Sequence, residues 1–371
     1  MTALIRPDWS GRLARVQSSL DGWGLDALVV SDLLNIQYLT GFAGSAGLLA
    51  LTPSTATLIV DGRYALSVRQ EQAAGALAMV RLVEVAVRYD LTLVAWLNDR
   101  APARVGFEAG HVTVAGLQAW QRVTPATTWV ATERTIEQHR LVKDEWEQAV
   151  FRRAARALDA VARRLPEWVR PDRSEEAVAA DIDAGIKAAG FSRPAFATIV
   201  ASGPNSARPH AHPGLRTLRS GDLVVLDFGG VLDGYCVDLT RMAAVGPISE
   251  PAQVLYDAVL AAHGAAVAAV APGVAPSAVD QAARAVLEER GLGKAFSHST
   301  GHGLGLEVHE APRIGRPDSD RSGPLEAGMI FTIEPGAYVE GLGGVRLEDD
   351  VLVTTTGCEV LTGAPRALVV V

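Results

Sequence analysis

Cysteine and positive charge are both scarce in this 371-residue sequence. Its two cysteines, Cys236 and Cys358, form no CxxC pair, which argues against a disulfide scaffold and agrees with a reducing cytoplasm. Acidic residues outnumber basic ones by 42 to 34, for a net charge of −8, whereas a general binder of nucleic-acid backbones needs a basic face. We therefore expect a cytoplasmic protein that binds no nucleic acid.

Long apolar runs are missing as well. Residues 1–20 contain no apolar core of the length that a signal peptide requires. The most apolar later stretch, residues 258–279, is interrupted by His263, Pro272 and Pro276. It predicts an alanine-rich helix, and we expect no membrane-spanning segment.

The length and the changing pattern along the chain predict two domains. Up to about residue 135, apolar runs of strand length alternate with helical patterns at 65–74 and 112–122, which is typical of a compact α/β domain. We place the boundary between residues 137 and 138. The apolar runs lie at residues 27–30, 47–51, 56–60, 81–85 and 104–108.

The second half has the pattern of an α+β domain. Asp144 and Glu147 predict a capping box at the start of a long helix. Two helices precede a strand pair, and this arrangement occurs twice, which suggests an internal structural duplication. The four helices are predicted at residues 144–165, 174–189, 250–271 and 276–290.

Each of these strand pairs carries two acidic residues. A four-residue loop at 231–234 would place Asp227 opposite Asp238. A five-residue loop at 339–343 would place Tyr338 opposite Gly344, and therefore Glu334 opposite Glu348. Like charges opposed in this way destabilise a sheet, and an unpaired buried charge costs several kcal/mol. One such pair alone could be solvated or neutralised by a local arginine, but two pairs beside apolar strand residues predict bound cations.

Three of the eight histidines lie between the two acidic pairs, in SHSTGHGLGLEVHE: His298, His302 and His309. The glycines around His302 make a helical zinc motif improbable, and we expect them to let the backbone approach an ion closely. Four carboxylates and one imidazole are sufficient to hold two divalent cations. Such a ligand set suits Mn, Co, Fe or Zn better than copper.

Several motifs resemble those of the pita-bread metallopeptidases, and among them the Xaa-Pro peptidases, prolidase and aminopeptidase P. These motifs are LDFGG, GYCVDLTR, HSTGHGLGLEVHE, TIEPGAY and VRLEDD. In the first half, YLTGFAGSAG and VDGRY resemble the creatinase-type N-terminal domain of these enzymes. The resemblance implies an α/β creatinase-type domain at residues 1–137 and an α+β pita-bread catalytic domain at residues 138–371.

The resemblance also implies roles for individual residues. Glu334 would take a proton from water and return it to the proline nitrogen, while His309, together with His298, would donate to the oxyanion. The R-x-E spacing of Arg346 and Glu348 puts both on one face of a strand. The implied metal ligands are Asp227, Asp238, His302, Glu334 and Glu348, for two ions of Mn, Co or Zn. The implied substrate-binding residues are His210, Arg346 and Tyr338, with His212 as the less favoured alternative to His210. Thr240, like Tyr338, would support the residues that contact metal or substrate.

The expected reaction is metal-dependent hydrolysis of the Xaa-Pro bond in short peptides, by a homodimer. The choice between a dipeptidase and an aminopeptidase P stays open, and the small N-terminal domain favours the dipeptidase. Arg63, Arg208 and Arg313 are candidates to bind a proline carboxylate. Outside the peptidases, the chain could be a non-enzymatic pita-bread binding protein or a phosphoesterase, although no phosphate-cradling loop is present for the latter.

Overall fold

The computed structural model describes residues 6–317 and 322–371. Residues 1–5 of the segment assessed for a signal peptide lie outside this part of the chain. The structure divides into two compact units, Met1–Arg140 and Leu141–Val371. The sequence-based boundary precedes this division by a few residues.

The N-terminal unit is built around a six-stranded mixed sheet with the strand order β4-β3-β2-β1-β5-β6. The five predicted strands are present within one residue of their predicted limits. Residues from the sheet and from two helices form its core, including Val29, Ile59, Trp96 and Trp120. Its elements are α1 Trp9–Ser19, β1 Ala27–Val30, α2 Leu33–Thr40, β2 Leu48–Leu51, β3 Ala56–Asp61, α3 Gly62–Ala73, β4 Arg81–Val85, α4 Tyr89–Arg100, β5 Arg104–Glu108, α5 Val114–Val123, β6 Thr128–Thr132 and α6 Glu137–Arg140.

The C-terminal unit contains two five-stranded sheets and a two-stranded ribbon. One sheet has the order β18-β10-β9-β7, with β8 also paired to β9; the other has the order β12-β11-β13-β16-β17, and β14 pairs with β15. Its elements are α7 Glu145–Ala162, α8 Leu165–Trp168, α9 Glu175–Ala188, β7 Arg193–Pro194, β8 Ile199–Ser202, a 3-10 helix Gly203–Ala207, β9 Leu223–Leu232, β10 Tyr235–Ala244, α10 Glu250–Ala269, α11 Pro276–Glu289, a 3-10 helix Gly293–Ala295, β11 Gly301–Gly303, β12 Glu310–Ile314, β13 Ile330–Ile333, β14 Gly336–Val339, β15 Gly343–Arg346, β16 Asp349–Val353, β17 Cys358–Val360 and β18 Val369–Val370.

The four long helices of this unit lie where the sequence predicts them. Asp144 and Glu147 form the predicted capping box at the start of α7. The apolar stretch 258–279 is divided between α10, which ends at Ala269, and α11, which begins at Pro276. By length and composition α10 could cross a membrane, but its buried residues, among them Leu255 and Val259, pack in the core of this unit. The core therefore accounts for the apolar character of α10.

Strands β9 and β10 are buried along almost their whole length. Helices α10 and α11 contribute to the same core as the strands β9, β13 and β16, for example through Val259, Val279, Val225, Phe331 and Val351. Charged side chains on these strands lie in surroundings with little water, so each of them needs a partner of opposite charge or a hydrogen bond.

Candidate active site

The first acidic hairpin has a shorter turn than predicted. Leu232 pairs with Tyr235, so the loop is only Asp233-Gly234, and both residues have positive φ, 51° and 89°. This is the Asp-Gly signature of a two-residue hairpin turn. Asp227 consequently pairs with Thr240 and not with Asp238; the predicted opposition is wrong.

The observed register of the first hairpin differs from the predicted one by two residues. The pairing is shifted by two residues, and Asp238 pairs with Gly229 instead. Because side chains alternate between faces with a period of two, a shift by two residues keeps Asp227 and Asp238 on one face. They are diagonal neighbours, which are still within reach of each other.

The second hairpin has the predicted register. Tyr338 pairs with Gly344, although the loop is three residues long because Val339 also pairs with Gly343. On the other side, Ile333 pairs with Asp349 in the continuing sheet. The same register therefore runs through the gap between the two ladders and sets Glu334 opposite Glu348.

The third segment is β11, which carries His302. Its flanking glycines have a packing role that was not expected. A Cβ atom on Gly301 would lie 1.8 Å from the Thr332 carbonyl oxygen, and one on Gly303 would lie 2.1 Å from the Ala311 carbonyl oxygen. The glycines are needed because two neighbouring strands approach β11 closely; the expected approach of the backbone to an ion stays a prediction.

Four of the five predicted ligands converge from these three segments. Asp238, His302 and Glu348 each offer a ligand atom within 4.8 Å of the other two. His302 Nε2 lies 3.5 Å from Glu334 Oε1 and 4.0 Å from Asp238 Oδ2. The hydroxyl of Thr240 donates to Glu348 Oε2 at 2.6 Å.

Asp227, the fifth predicted ligand, is held by an arginine at the edge of this cluster. Arg346 Nη2 donates to Asp227 Oδ2 at 2.5 Å. Burial is the largest cause of the raised pKa of Asp238, Glu334 and Glu348, and the charge of Asp227 adds to it in all three. The side chains predicted to bind metal therefore share one site.

The chemistry of this cluster fits divalent cations. Burial, reinforced by the neighbouring carboxylates, raises the pKa of Asp238 and of Glu348 well above the ordinary range. Burial raises the pKa of Glu334 to about 8, against the opposing charge of Arg346. Among the described residues, Asp227 Oδ1 and Asp238 Oδ1 are buried with no hydrogen-bond partner. Oxygen atoms without partners and one imidazole form a donor set for Mn, Co or Zn.

His302 is prepared to act as a neutral ligand. Burial, and next the charge of His309, lowers the pKa of His302 to about 3. His302 Nδ1 lies 3.2 Å from the Gly303 carbonyl oxygen, which can only accept, so the ring proton is on Nδ1. The lone pair of Nε2 is left facing the carboxylates, an arrangement common in metal-binding histidines.

Arg346, Tyr338 and His298 form a hydrogen-bonded chain beside the cluster. Arg346 Nη1 donates to the Tyr338 hydroxyl at 2.7 Å, and this hydroxyl lies 3.0 Å from His298 Nε2. Burial raises the pKa of Tyr338 to about 12 and lowers that of His298 to about 4. Both groups are therefore neutral near pH 7, and His298 Nε2 is already engaged by Tyr338.

The three other histidines considered from the sequence, His309, His210 and His212, differ in how close they lie to the cluster. The ring of His309 packs edge-on against that of His302, with 4.3 Å between centroids, and burial and then His210 lower its pKa. In the part of the chain that the structure describes, its ring nitrogens make no hydrogen bond. His210 is exposed but close enough to lower the pKa of His298 as well. His212 is exposed.

Of the three arginines considered for a substrate carboxylate, Arg313 lies beside the cluster. It pairs directly with His302 across β11 and β12 and lowers the pKa of both His302 and His309. Arg63 belongs to the N-terminal unit, where it forms an ion pair with Asp61 at 2.8 Å. Arg208 is exposed beyond a 3-10 helix.

Two residues that support the cluster were not predicted. Asp350 accepts a hydrogen bond from the backbone amide of Asp238 at 3.2 Å. The Thr332 hydroxyl accepts one from the backbone amide of His302 at 3.1 Å. Both lie two residues from a predicted ligand along a strand, at 348 and 334, so the period-two alternation could have identified them.

Comparison with known proteins agrees with this geometry. The sequence profile of metallopeptidase family M24 matches residues 149–355. The chain belongs to metallopeptidase family M24. The profile of the creatinase/prolidase N-terminal domain matches residues 12–142. Together these matches confirm the predicted fold class, a creatinase-type α/β domain followed by a pita-bread domain, and they support peptidase activity in a family that uses divalent metals.

The similarity extends over nearly the whole chain. The uncharacterized peptidase YqhT of Bacillus subtilis is 34% identical over 360 residues, 97% of this chain and 99% of the relative. The structure of the Xaa-Pro dipeptidase from Bacillus anthracis superposes with a TM-score of 0.93 at 33% identity, over 98% of this chain and 100% of the other. The structure of the X-Pro aminopeptidase from Thermotoga maritima superposes with a TM-score of 0.88 at 30% identity, over 96% of this chain and 100% of the other.

Proposed function

We propose that this M24 peptidase is an Xaa-Pro dipeptidase that binds two divalent cations at Asp227, Asp238, His302, Glu334 and Glu348. The observation that carries the proposal is the convergence of buried acids and one neutral imidazole, with two carboxylate oxygens lacking partners in the described part of the chain. When bound, the cations would supply positive charge that activates water and polarises the scissile carbonyl.

Glu334 is suited to transfer the proton that the reaction requires. The bond before proline is a tertiary amide, so its nitrogen carries no hydrogen and must receive one as it leaves. The Glu334 carboxylate lies within the cluster, 3.5 Å from His302 Nε2, and there it can accept a proton from the attacking water and release it to this nitrogen. The carbon–oxygen bond forms, the carbon–nitrogen bond breaks, and Glu334 ends in its starting state.

The two accessory histidines then have different roles. His309, without a hydrogen-bond partner among residues 6–317 and 322–371, is available to donate to the developing oxyanion. Removing one such donor often costs about 3–4 kcal/mol of transition-state stabilisation. His298 is engaged by Tyr338 at Nε2, so we assign it to the wall of the site.

Arg313 supports the choice of a dipeptidase. Its only hydrogen bond within the described residues runs from Nε to Ser299 Oγ at 3.0 Å, which leaves its two terminal nitrogens available. A guanidinium on the same strand face as His302 could bind the proline carboxylate of a dipeptide. In a longer peptide that carboxylate is replaced by an amide, which lacks the charge.

The substrate test compares Ala-Pro, Ala-Pro-Ala and Ala-Ala, after chelator treatment and reconstitution with Mn, Co or Zn. We expect Ala-Pro to be cleaved fastest. Comparable cleavage of Ala-Pro-Ala would support the second candidate, an Xaa-Pro aminopeptidase, which the similarity to the Thermotoga maritima enzyme favours. Equal cleavage of Ala-Ala would contradict both.

Two substitutions make the test specific. Arg313→Met should raise KM for Ala-Pro more than for Ala-Pro-Ala, whereas Arg63→Met should change neither. Asp227→Asn should remove bound metal and turnover together, as measured by elemental analysis and by peptide cleavage. An Asp227→Asn protein with two ions per chain and full activity would exclude this metal site.

We extend the proposal to a homodimer in the cytoplasm that acts on short proline-containing peptides. Light scattering coupled to size-exclusion chromatography measures the assembly, and fractionation of the source cells measures the location. A monomeric mass with full activity would remove the dimer from the proposal.

A further inference from the structure

A buried ion pair on α11 holds the segment that carries His298. Asp280 and Arg284, one helical turn apart, are 2% and 7% exposed. Arg284 Nε donates to Asp280 Oδ2 at 2.6 Å, and Nη2 donates to Oδ1 at 3.1 Å. A buried ion pair is often no more stabilising than well-packed apolar residues. The structural effect of this ion pair comes from the backbone groups that it binds.

Both members of the pair bind residues 296–300. Arg284 Nη1 donates to the Phe296 carbonyl at 3.2 Å, and Nη2 donates to the His298 carbonyl at 2.5 Å. Asp280 Oδ1 accepts from the Thr300 amide at 3.2 Å and from its hydroxyl at 2.8 Å. The guanidinium also lies 4.2 Å from the centroid of the Phe296 ring. The backbone on each side of the His298 side chain is thus attached to one helix.

This attachment determines the orientation of the His298 ring. The ring meets the edge of Phe296 at 5.1 Å, and His298 Nδ1 lies 2.8 Å from the Ser299 carbonyl. Because a carbonyl only accepts, Nδ1 carries the proton. The Tyr338 hydroxyl receives a hydrogen from Arg346 and gives its own to His298 Nε2. The ring is therefore held as a single neutral tautomer.

The same pair is connected to the proton-transfer residue. The Thr300 carbonyl accepts from the Glu334 backbone amide at 2.7 Å. Movement of Thr300 away from Asp280 would displace the carbonyl that binds the Glu334 amide and so fixes the start of the Glu334 segment. One ion pair thus positions His298 and the segment that carries Glu334.

We propose that Asp280 and Arg284 are positioning residues, which set the geometry of His298 and Glu334 for the hydrolysis described above. The inference rests on the proposed function for its kinetic consequence but not for its structural one. Misplacing a reacting group by about 1 Å can cost about 10²-fold in rate, so a small rearrangement of residues 296–300 should be measurable.

The first test uses two matched substitutions at Thr300. Thr300→Val has nearly the same shape but lacks the hydroxyl bound to Asp280, whereas Thr300→Ser keeps the hydroxyl. We expect kcat for Ala-Pro to fall about 10-fold or more in Thr300→Val, with KM little changed. Thr300→Ser should recover most of the activity. Equal activity of the two variants would overturn the proposal.

Arg284→Lys tests the other member of the pair. Lysine can keep the ion pair with Asp280 but cannot span two carbonyls as the guanidinium does. The control is Asp159→Asn, because Asp159 is a similarly buried carboxylate that binds backbone amides, those of Gly363 and Ala364, away from residues 296–300. At matched losses of melting temperature, only Arg284→Lys should lower kcat. Equal losses of kcat in both variants would indicate a structural role alone.

A measurement independent of turnover separates this inference from the proposed function. Imidazole nitrogen NMR on the full-length protein, with His298 assigned through His298→Gln, should show the Nδ1-protonated tautomer. In Thr300→Val and Arg284→Lys this signal should shift toward a mixture of tautomers, while Asp159→Asn should leave it unchanged. An unchanged signal in the first two variants would refute the positioning role, even if the wild type cleaved no Xaa-Pro peptide.

Discussion

The metal-free protein should lose stability as the pH rises from 6.5 to 8. A carboxyl group whose pKa is higher in the folded than in the unfolded state stabilises the fold while it is protonated, and this stabilisation is lost as it ionises. Glu334, raised from 4.5 to about 8, and the raised Asp238 and Glu348 all act in this direction. The buried histidines act oppositely, but only below their ordinary pKa of 6.5.

Above pH 6.5 the change in stability with pH therefore reports on the three carboxyl groups and not on the histidines. At about 1.36 kcal/mol per pH unit, Glu334 alone should reduce the free energy of unfolding by about 2 kcal/mol between pH 6.5 and 8. For a unit of this size, 1 kcal/mol corresponds to about 2–4 °C in melting temperature. We expect the transition of the C-terminal unit to fall by about 4–8 °C from this carboxyl, and further from the other two.

Calorimetry of chelator-treated protein at several pH values measures this shift. Saturating Mn or Zn should remove the pH dependence, because bound cations keep the same acids ionised throughout the window. Glu334→Gln, which cannot titrate, should show a smaller slope in the metal-free state. A melting temperature that stays constant or rises between pH 6.5 and 8 without metal would refute the reasoning from burial and mutual repulsion.

Three further predictions concern single side chains near the site. Gly301→Ala should lower the melting temperature and the bound metal together, since its Cβ would overlap a neighbouring strand; Gly357→Ala, with no atom within 4 Å of its Cβ, is the harmless control for both measurements. Arg346→Met should cost metal-free protein about 3–5 kcal/mol in urea unfolding, because Asp227 loses its buried partner. Tyr338→Phe should lower kcat/KM about 10-fold by removing a hydroxyl with two hydrogen bonds, and unchanged kinetics would contradict its role in the chain of hydrogen bonds.

The strands and the face on which each acid lies could be predicted from the sequence because both follow from short-range periodicity. The opposition of Glu334 and Glu348 is consistent with the observed register on both sides of the gap. The predicted register of the first hairpin was wrong because it assumed a four-residue loop. Asp233-Gly234 is itself a strong signal for a two-residue turn. The prediction that Asp227 and Asp238 lie on one face of the sheet was still correct, because a shift of two residues keeps side chains on their original face.

Long-range contacts could not be predicted in this way. Asp280 and Arg284 have the spacing of an ordinary ion pair on an exposed helix surface, and nothing in their local sequence indicates that both are buried against residues 296–300. The packing reason for the glycines beside His302 could not be predicted from the sequence either, because it depends on the carbonyl oxygens of Thr332 and Ala311. Such approaches depend on how strands distant in sequence are assembled.

The short strand β18 has a practical consequence for how these experiments are carried out. Val371 accepts a hydrogen bond from Gly246 and donates one to Ala244, so the end of the strand that carries Asp238 is joined to Val371. A change at Val371 alters a residue whose amide and carbonyl are both bonded, and it would disturb the neighbouring sheet. A polyhistidine tag used in purification would contribute metal of its own, so it should be cleaved off before elemental analysis, and no change should be made at Val371.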